Sequence, residues 1–310
     1  MAPYTGIPLS PAELQYLHTS LSQNPPIRPD GRSPTQFRPL VAETDILSST
    51  NGSARICFPD GTEAMVGVKA EVEKTWGGGQ DVDGERTGQA VEDEEMRNAE
   101  ILLLSQPLSY PLPLLSLTTH LALLSTRLPS LISERDEDPL FNDDWEASTH
   151  LFPRSKADGG SAQKPPITLL VMSVGEMIFF DASADELAVA DAVVALSVTQ
   201  PLQPTSTSAT EAEILPLKLV ALRTIDPPSR LTAGGVPNAL NSTSTTGTAS
   251  TGNTSTGGIL AIREKDQGQS VWRPPRGGVK RAVVGRMIKA VVEKGGVGME
   301  VMAGLAGVET

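Results

Sequence analysis

The chain has little cysteine, histidine or aromatic side chain. Its 310 residues include one cysteine, Cys57, and three histidines, and aromatic residues make up 4%. A single cysteine excludes an internal disulfide and a cysteine-rich zinc cluster, and it indicates a reducing compartment. The three histidines lie far apart in the sequence, so nothing indicates a histidine-rich metal site.

Long apolar runs and an excess of basic charge are also lacking. No apolar run is long enough to span a bilayer, and the N-terminus lacks the profile of a secretory signal, so we expect a soluble intracellular protein without a membrane partner. Acidic residues outnumber basic residues 37 to 25, for a net charge of −12. Bulk charge therefore does not favour nucleic acid, and any RNA contact must be local.

What is present is typical of a folded α+β protein. The hydrophobic share is 39%, with 28 glycines, which excludes a fully disordered chain. A first helix is predicted after Ser10, because Ser10 and Glu13 form a capping box and Pro11 suits the first helical position. Strands at 52–58 and 64–72 then flank a turn and predict a hairpin.

Further elements are predicted along the rest of the chain. The sequence predicts a short buried strand at 101–104 and a helix at 112–124. For 187–199 strand and helix compete, and strand is favoured. The remaining predictions are a second hairpin from 167–173 and 177–180, strands at 214–225 and 258–263, and helices at 279–292 and 299–305.

Three segments are predicted to be flexible because their composition cannot bury enough apolar surface. They are the acidic stretches 75–100 and 133–165 and the Ser, Thr, Gly and Asn-rich stretch 234–258. The repeated order of hairpins followed by a helix suggests two structural halves. We divide the chain into an N-terminal helix, 1–26, and one domain, 27–310.

The segment 27–74 carries the most specific motifs. It contains Arg28, Asp30, Gly31 and Arg32 in an R-x-D-G-R arrangement, then Arg38, and then Asn-Gly-Ser-Ala at 51–54 before the hairpin. This pattern resembles the N-terminal region of the RNase PH family. Within that family, Glu-Thr-Asp at 43–45 and Val-Gly-Val-Lys-Ala-Glu at 66–71 are similar to ring subunits of the eukaryotic RNA exosome.

The resemblance implies a fold and a setting. The fold is the RNase PH-like α+β fold of two βαβ-type halves, here incomplete between 75 and 100, where family members carry further strands and a helix. The implied partners are other RNase PH-like subunits in a hetero-hexameric ring, S1/KH-type cap subunits and single-stranded RNA. The implied location is the nucleus, nucleolus and cytoplasm.

The resemblance also bears on catalysis. Catalytic members place a glycine pair and an arginine in the loop between strand and helix, whereas this chain has Gln106, Pro107 and Ser109 there, which leaves phosphate without an evident receptor. The resemblance therefore implies a non-catalytic structural subunit, without a cofactor, in 3'-to-5' RNA processing and degradation. The alternative is an active phosphorolytic 3'-to-5' exoribonuclease that uses Asp181 and Asp185 and an arginine reaching 106–109 from elsewhere.

Two groups of cations are candidate RNA contacts. Arg28, Arg32 and Arg38 either pair with carboxylates such as Asp30 or contact phosphate, and both interpretations stay open. Near the C-terminus, Trp272–Arg281 joins an aromatic residue to four cations, so that this basic stretch either forms a solvated face or contacts RNA or a partner. Its candidate residues are Arg276, Lys280 and Arg281.

One acidic cluster has two interpretations. Asp181, Asp185 and Glu186 have a spacing with which carboxylates can share a hard cation. The favoured interpretation is that Asp181 ends a strand and that Asp185 and Glu186 are solvated. The sequence thus predicts no metal site.

Overall fold

A computed structural model describes residues 9–70, 98–105, 109–130, 132, 140–152, 164–200, 217–232 and 271–308. Within these residues the chain forms two four-stranded sheets, a two-stranded ladder and five α-helices. The predicted strand at 258–263 and the predicted flexible segment 234–258 lie outside the described residues. No helix within them is both long and apolar enough for a membrane crossing.

The first sheet has the order β1 (Val41–Thr44), β2 (Gly52–Cys57), β3 (Glu63–Lys69) and β4 (Asn98–Leu103), and each strand is antiparallel to its neighbours. The predicted hairpin is confirmed as β2 and β3, with Cys57 opposite Glu63. In β3 the alternating side chains of Ala64, Val66 and Val68 are buried, as the period of two predicts.

The prediction of a buried strand at 101–104 is correct for the strand and wrong for its burial. A strand is present, but it begins at Asn98, inside the segment predicted to be flexible, while 71–97 lie outside the described residues. Ile101, Leu102 and Leu104 are 47%, 53% and 51% exposed. The physical reason is that, among the residues that the structure describes, β4 pairs with β3 alone and forms the edge of the sheet, which an apolar run by itself does not reveal.

The second sheet has the order β10 (Lys218–Ile225), β9 (Ala192–Thr199), β7 (Ile167–Val174) and β8 (Met177–Phe180). Because β8 and β9 are both antiparallel to β7, they run in the same direction on either side of it. A short helix, α3 (Ala184–Leu187), connects them, so this half contains a split βαβ unit. The preference for strand in 187–199 is confirmed for β9.

Between the two sheets lies α2 (Leu112–Ser125), which contacts β2 and β3 on one side and β7 on the other. Its buried residues Leu114, Leu117 and Leu121 join the largest hydrophobic cluster, which also contains residues of both sheets. The C-terminal helices α4 (Arg281–Val292) and α5 (Val297–Ala306) pack on the same cluster. One continuous core therefore unites the two halves.

The N-terminal helix α1 (Pro11–Ser22) begins with the predicted capping box of Ser10 and Glu13. Its buried Leu14, Leu17 and Leu21 belong to a second hydrophobic cluster together with residues of β7. The helix set apart above as 1–26 thus packs on the second sheet, because its leucine face needs an apolar partner surface.

Part of the segment predicted to be flexible, 133–165, is ordered. Residues 145–147 form a 3-10 turn that Asp144 caps, and β6 (Thr149–His150) pairs with β5 (Arg127–Leu128). At its end, Pro165 accepts a hydrogen bond of 2.8 Å from Nδ1 of the buried His120. These backbone and capping bonds order residues whose composition alone predicts flexibility.

Candidate functional site

The R-x-D-G-R segment lies against the loop that follows β8. The backbone N–H of Phe180 donates to the carbonyl of Pro34 at 2.9 Å, which holds the two segments side by side. Gly31 has a φ of 72°, a conformation that glycine adopts at little cost. This turn brings arginines from the first part of the chain next to carboxylates of the second half.

Arg28 is buried, with 3% of its surface exposed, and it pairs with Glu186. Its Nε and Nη2 donate to Oε1 and Oε2 of Glu186 at 2.7 and 2.8 Å. Its remaining N–H groups donate to the carbonyls of Ser33, Phe180 and Asp181. No face of the guanidinium is left for an RNA phosphate, so this structure does not place Arg28 on an RNA-contacting surface.

The prediction that Glu186 is solvated is wrong, because Glu186 has no exposed surface. Its Oε2 also accepts from the backbone N–H of Ser183 in a capping box at the start of α3. Asp185, in contrast, is exposed as predicted. The acidic residues after β8 therefore point to different surroundings, and the described residues contain no group of three potential metal ligands.

Asp181 is the common partner of Arg32 and Arg38. Its carboxylate accepts from Arg32 Nη1 at 2.7 Å, from Arg38 Nη2 at 2.8 Å and from the backbone N–H of Arg38 at 2.7 Å. Burial opposes its ionisation, but the hydrogen bonds and charge of Arg38, together with the charge of Arg32, outweigh burial and hold the pKa of Asp181 below its ordinary value.

Two further acids pair with these arginines. Asp30 accepts from Arg32 Nε at 2.6 Å, and Asp60 accepts from Arg38 Nη1 at 2.5 Å. Pairing with carboxylates, one of the two interpretations of the arginines, is therefore confirmed. The cluster consists of three cations against the four anions Asp30, Asp60, Asp181 and Glu186, which leaves no excess positive charge for phosphate.

The position that replaces the family's phosphate loop also lies at this cluster. Ser109 is buried, and its hydroxyl accepts from Arg38 Nη2 at 3.1 Å. An arginine from elsewhere thus reaches this loop, which is the feature that the active alternative requires. The same guanidinium is shared with Asp60 and Asp181, however. Gln106 and Pro107 lie outside the described residues.

The C-terminal cations form a separate group. Arg276, Lys280 and Arg281 are exposed on the loop that leads into α4 and at the start of that helix. Lys280 Nζ lies 3.3 Å from an oxygen of Glu176, and Arg286 pairs with the same carboxylate. Within the described part of the chain, Arg276 and Arg281 make no ion pair.

Three partners in the site were missed by sequence reasoning, namely Glu186 for Arg28, Asp60 for Arg38, and Asp181 for both Arg32 and Arg38. Glu186 is 158 residues from Arg28, and no local pattern links them. The one signal at Glu186 was its position three residues after Ser183, which is the spacing of a capping box.

Comparison with known proteins defines the class and then the family. Exosome complex component RRP42 of Saccharomyces cerevisiae is 32% identical over 221 residues, covering 59% of this chain and 78% of the yeast protein. Exosome complex component rrp42 of Schizosaccharomyces pombe is 30% identical over 238 residues, covering 61% of this chain and 78% of that protein. No family model matches the chain.

Among solved structures, a chain of the Archaeoglobus fulgidus exosome with RNA bound to the active site has 16% identity and a TM-score of 0.39, covering 65% of this chain and 90% of that one. The class is that of exosome complex components, which the motifs at 28–38, 43–45, 51–54 and 66–71 predict. This chain belongs to the family of exosome complex component RRP42.

Proposed function

We propose that the chain is a non-catalytic RNase PH-like structural subunit of the RNA exosome core ring, acting in 3'-to-5' RNA processing and degradation. Membership of the RRP42 family supports the setting. The observation that carries the non-catalytic role is the pairing of Arg32 and Arg38 with Asp181.

The chemistry explains why this pairing matters. In phosphorolysis, inorganic phosphate attacks the terminal phosphodiester, so a site must hold two anions and neutralise their charge. At this site the guanidinium groups already bind carboxylates, and the cluster has no surplus cation. The contact between Arg38 and Ser109 is the one observation that favours the active alternative.

A phosphorolysis assay separates the two functions. Single-stranded RNA is incubated with the full-length chain, with and without inorganic phosphate, and release of nucleoside diphosphates is measured. We expect no phosphate-dependent release. Phosphate-dependent shortening that disappears in Asp181→Asn and in Asp185→Asn, the two acids that the active alternative uses, would support that alternative.

The setting in a ring implies partners. The proposal places the chain beside other RNase PH-like subunits in a hetero-hexameric ring, below S1/KH-type cap subunits, in the nucleus, nucleolus and cytoplasm. It is supported by two sheet edges: within the described residues β4 and β10 each pair on one side only, and they carry exposed apolar side chains such as Leu102 and Val220. Open apolar edges need pairing or cover.

RNA contact in the assembled ring is proposed for the exposed cations Arg276, Lys280 and Arg281, with Arg32 and Arg38 restricted to the small fraction of their side chains that is accessible. Contacts of this kind bind the phosphate backbone with little sequence preference and weaken as salt rises.

The test compares rings that contain Arg276→Glu/Arg281→Glu or the control Lys289→Glu/Lys294→Glu, whose lysines lie in the last turn of α4 and just after it. The first pair is expected to reduce RNA retention at low salt and to matter less at high salt, while the control leaves retention unchanged. Equal retention by the parent ring and the first variant at every salt concentration would contradict the proposed contact.

A further inference from the structure

The carboxylate of Asp181 accepts hydrogen bonds from four N–H donors that converge on it. The donors are Arg32 Nη1 and the Nε, Nη2 and backbone N–H of Arg38. We call this group of donors the Asp181 seat. They lie between 2.7 and 3.0 Å from the carboxylate oxygen Oδ1 or Oδ2. The hydroxyl of Ser109 adjoins the seat through Arg38 Nη2. Two guanidinium groups and a backbone N–H that converge in this way match an oxyanion.

The backbone at Asp181, which places the carboxylate in the seat, has an unusual conformation. Asp181 has a φ of 46°, which non-glycine residues adopt infrequently. Its carbonyl accepts from Arg28 Nη2 at 3.0 Å and from Arg32 Nη2 at 3.1 Å. Such a conformation persists where surrounding contacts fix it, and here the arginines of the R-x-D-G-R segment fix it.

The neighbouring carboxylates use other nitrogens. Asp30 binds Arg32 Nε, and Asp60 binds Arg38 Nη1. Removal of the Asp181 side chain therefore leaves the four donors of the seat facing one vacated space. The side chains of Arg32 and Arg38 are 10% and 16% exposed, so this space is nearly enclosed. Such enclosure suits a single small anion better than a polymer backbone.

We propose that the Asp181 seat is a latent binding site for a small tetrahedral oxyanion such as inorganic phosphate, and that the Asp181 carboxylate fills it as an internal substitute. An internal carboxylate competes at a high effective concentration, so dissolved phosphate does not displace it in the natural chain. The site is thereby closed by a residue of the chain itself. This inference concerns the chain alone and does not depend on ring assembly.

The test measures binding of inorganic phosphate to the full-length chain at constant ionic strength, with chloride as the reference anion, by calorimetry and by phosphorus NMR line width. The main variant is Asp181→Gly, because glycine accepts the positive φ. It is expected to bind phosphate at least tenfold more tightly than the parent. The control Asp60→Asn, which leaves the seat filled, gains nothing, and Asp181→Gly/Arg38→Gln returns to the parent level.

Several outcomes would overturn the proposal. One is a folded Asp181→Gly variant that binds phosphate no better than the parent does. A second is a parent chain that already binds phosphate through Arg32 and Arg38. A third is an Asp181→Gly variant that binds an RNA dinucleotide more tightly than phosphate. If Asp181→Gly does not fold, Asp181→Asn replaces it. Recovery of either variant's fold by phosphate but not by chloride supports the proposal, and failure of both to recover contradicts it. Whichever of these results is obtained, the parent chain is still expected to co-purify with ring subunits.

Discussion

The guanidinium of Arg28 and the carboxylate of Glu186 face each other in the core with two N–O distances of 2.7 and 2.8 Å, although 158 residues separate them in the chain. Neither side chain is exposed to solvent. The pair connects the R-x-D-G-R segment to α3, next to the loop in which Asp181 binds Arg32 and Arg38. It therefore stabilises the geometry on which the candidate site depends.

Substitution of Arg28 is expected to destabilise the fold strongly. Arg28→Met removes one partner of a fully buried pair and leaves the charge of Glu186 without compensation, which costs about 3–5 kcal/mol of unfolding free energy. Urea denaturation of the purified chain measures this loss. The control Arg55→Met removes a more exposed pair with Glu63 and is expected to lower the unfolding free energy far less than Arg28→Met does.

A double variant distinguishes the buried charge from the lost packing. Arg28→Met/Glu186→Met replaces both charges with apolar side chains, so we expect it to recover part of the stability that Arg28→Met loses. If Arg28→Met unfolds at the same urea concentration as the parent, the pair does not hold the segment to α3.

Acid is expected to destabilise the chain through His120. Burial lowers the pKa of His120 to about 4, although its bond to Pro165 opposes the shift. The unfolded chain then binds a proton near pH 6.5 that the folded chain does not bind until about pH 4. Stability is therefore fully present above pH 6.5 and falls toward pH 4, by up to about 1.4 kcal/mol per pH unit.

The measurement is the urea midpoint between pH 7 and pH 4 for the parent and for His120→Asn, which keeps a side-chain N–H donor for Pro165. The variant is expected to show a shallower decline over this range. Parallel curves for the two proteins would show that His120 does not contribute the acid sensitivity. Carboxylates with lowered pKa values, such as Asp181, lose their contribution to stability only at lower pH, so they do not obscure the comparison.

Two glycines are expected to respond in opposite directions to alanine. A Cβ on Gly52 would lie 2.5 Å from Cα and 2.6 Å from N of Thr126, so that the backbone at the end of α2 must move. Gly52→Ala should lower the unfolding free energy by about 1–3 kcal/mol.

Gly285 lies inside α4, and a Cβ at this position would have nothing within 4 Å. Gly285→Ala should therefore raise the unfolding free energy by about 0.5–1 kcal/mol. Thermal melting measures both, and a neutral Gly52→Ala would contradict the close approach.

The sequence was sufficient for features that local patterns determine. The capping box at Ser10, the hairpin of β2 and β3, and helix α2 follow from capping chemistry and from periods of 2 and 3.6 residues. The R-x-D-G-R motif, together with the motifs at 43–45, 51–54 and 66–71, was enough to place the chain in its family. These features depend on residues within a few positions of one another.

Features that depend on distant contacts were not predictable. The exposure of Leu102 depends on which strands pair with β4, and the burial of Glu186 depends on an arginine 158 residues away in the chain. The ordering of β6 depends on its pairing with β5. In each case the local residue type suggests the opposite environment, and a tertiary contact overrides it.

The exposed edges are expected to matter for assembly more than for the fold. Leu102→Lys on β4 and Val220→Lys on β10 change side chains that are 53% and 54% exposed. We expect the unfolding free energy to stay within about 0.5 kcal/mol of the parent, while recovery of neighbouring subunits falls. The control Leu231→Lys, 83% exposed in a 3-10 turn, should leave recovery unchanged. Unchanged recovery with both edge variants would argue against these edges as contact surfaces.

Function as a component of the exosome ring is tested by affinity purification of a tagged copy from cells, followed by size-exclusion chromatography and mass spectrometry. We expect the chain in a large complex that contains other RNase PH-like subunits together with S1/KH-type cap proteins. Recovery of the chain as a stable monomer, free of RNase PH-like and S1/KH-type proteins at physiological salt, would contradict it.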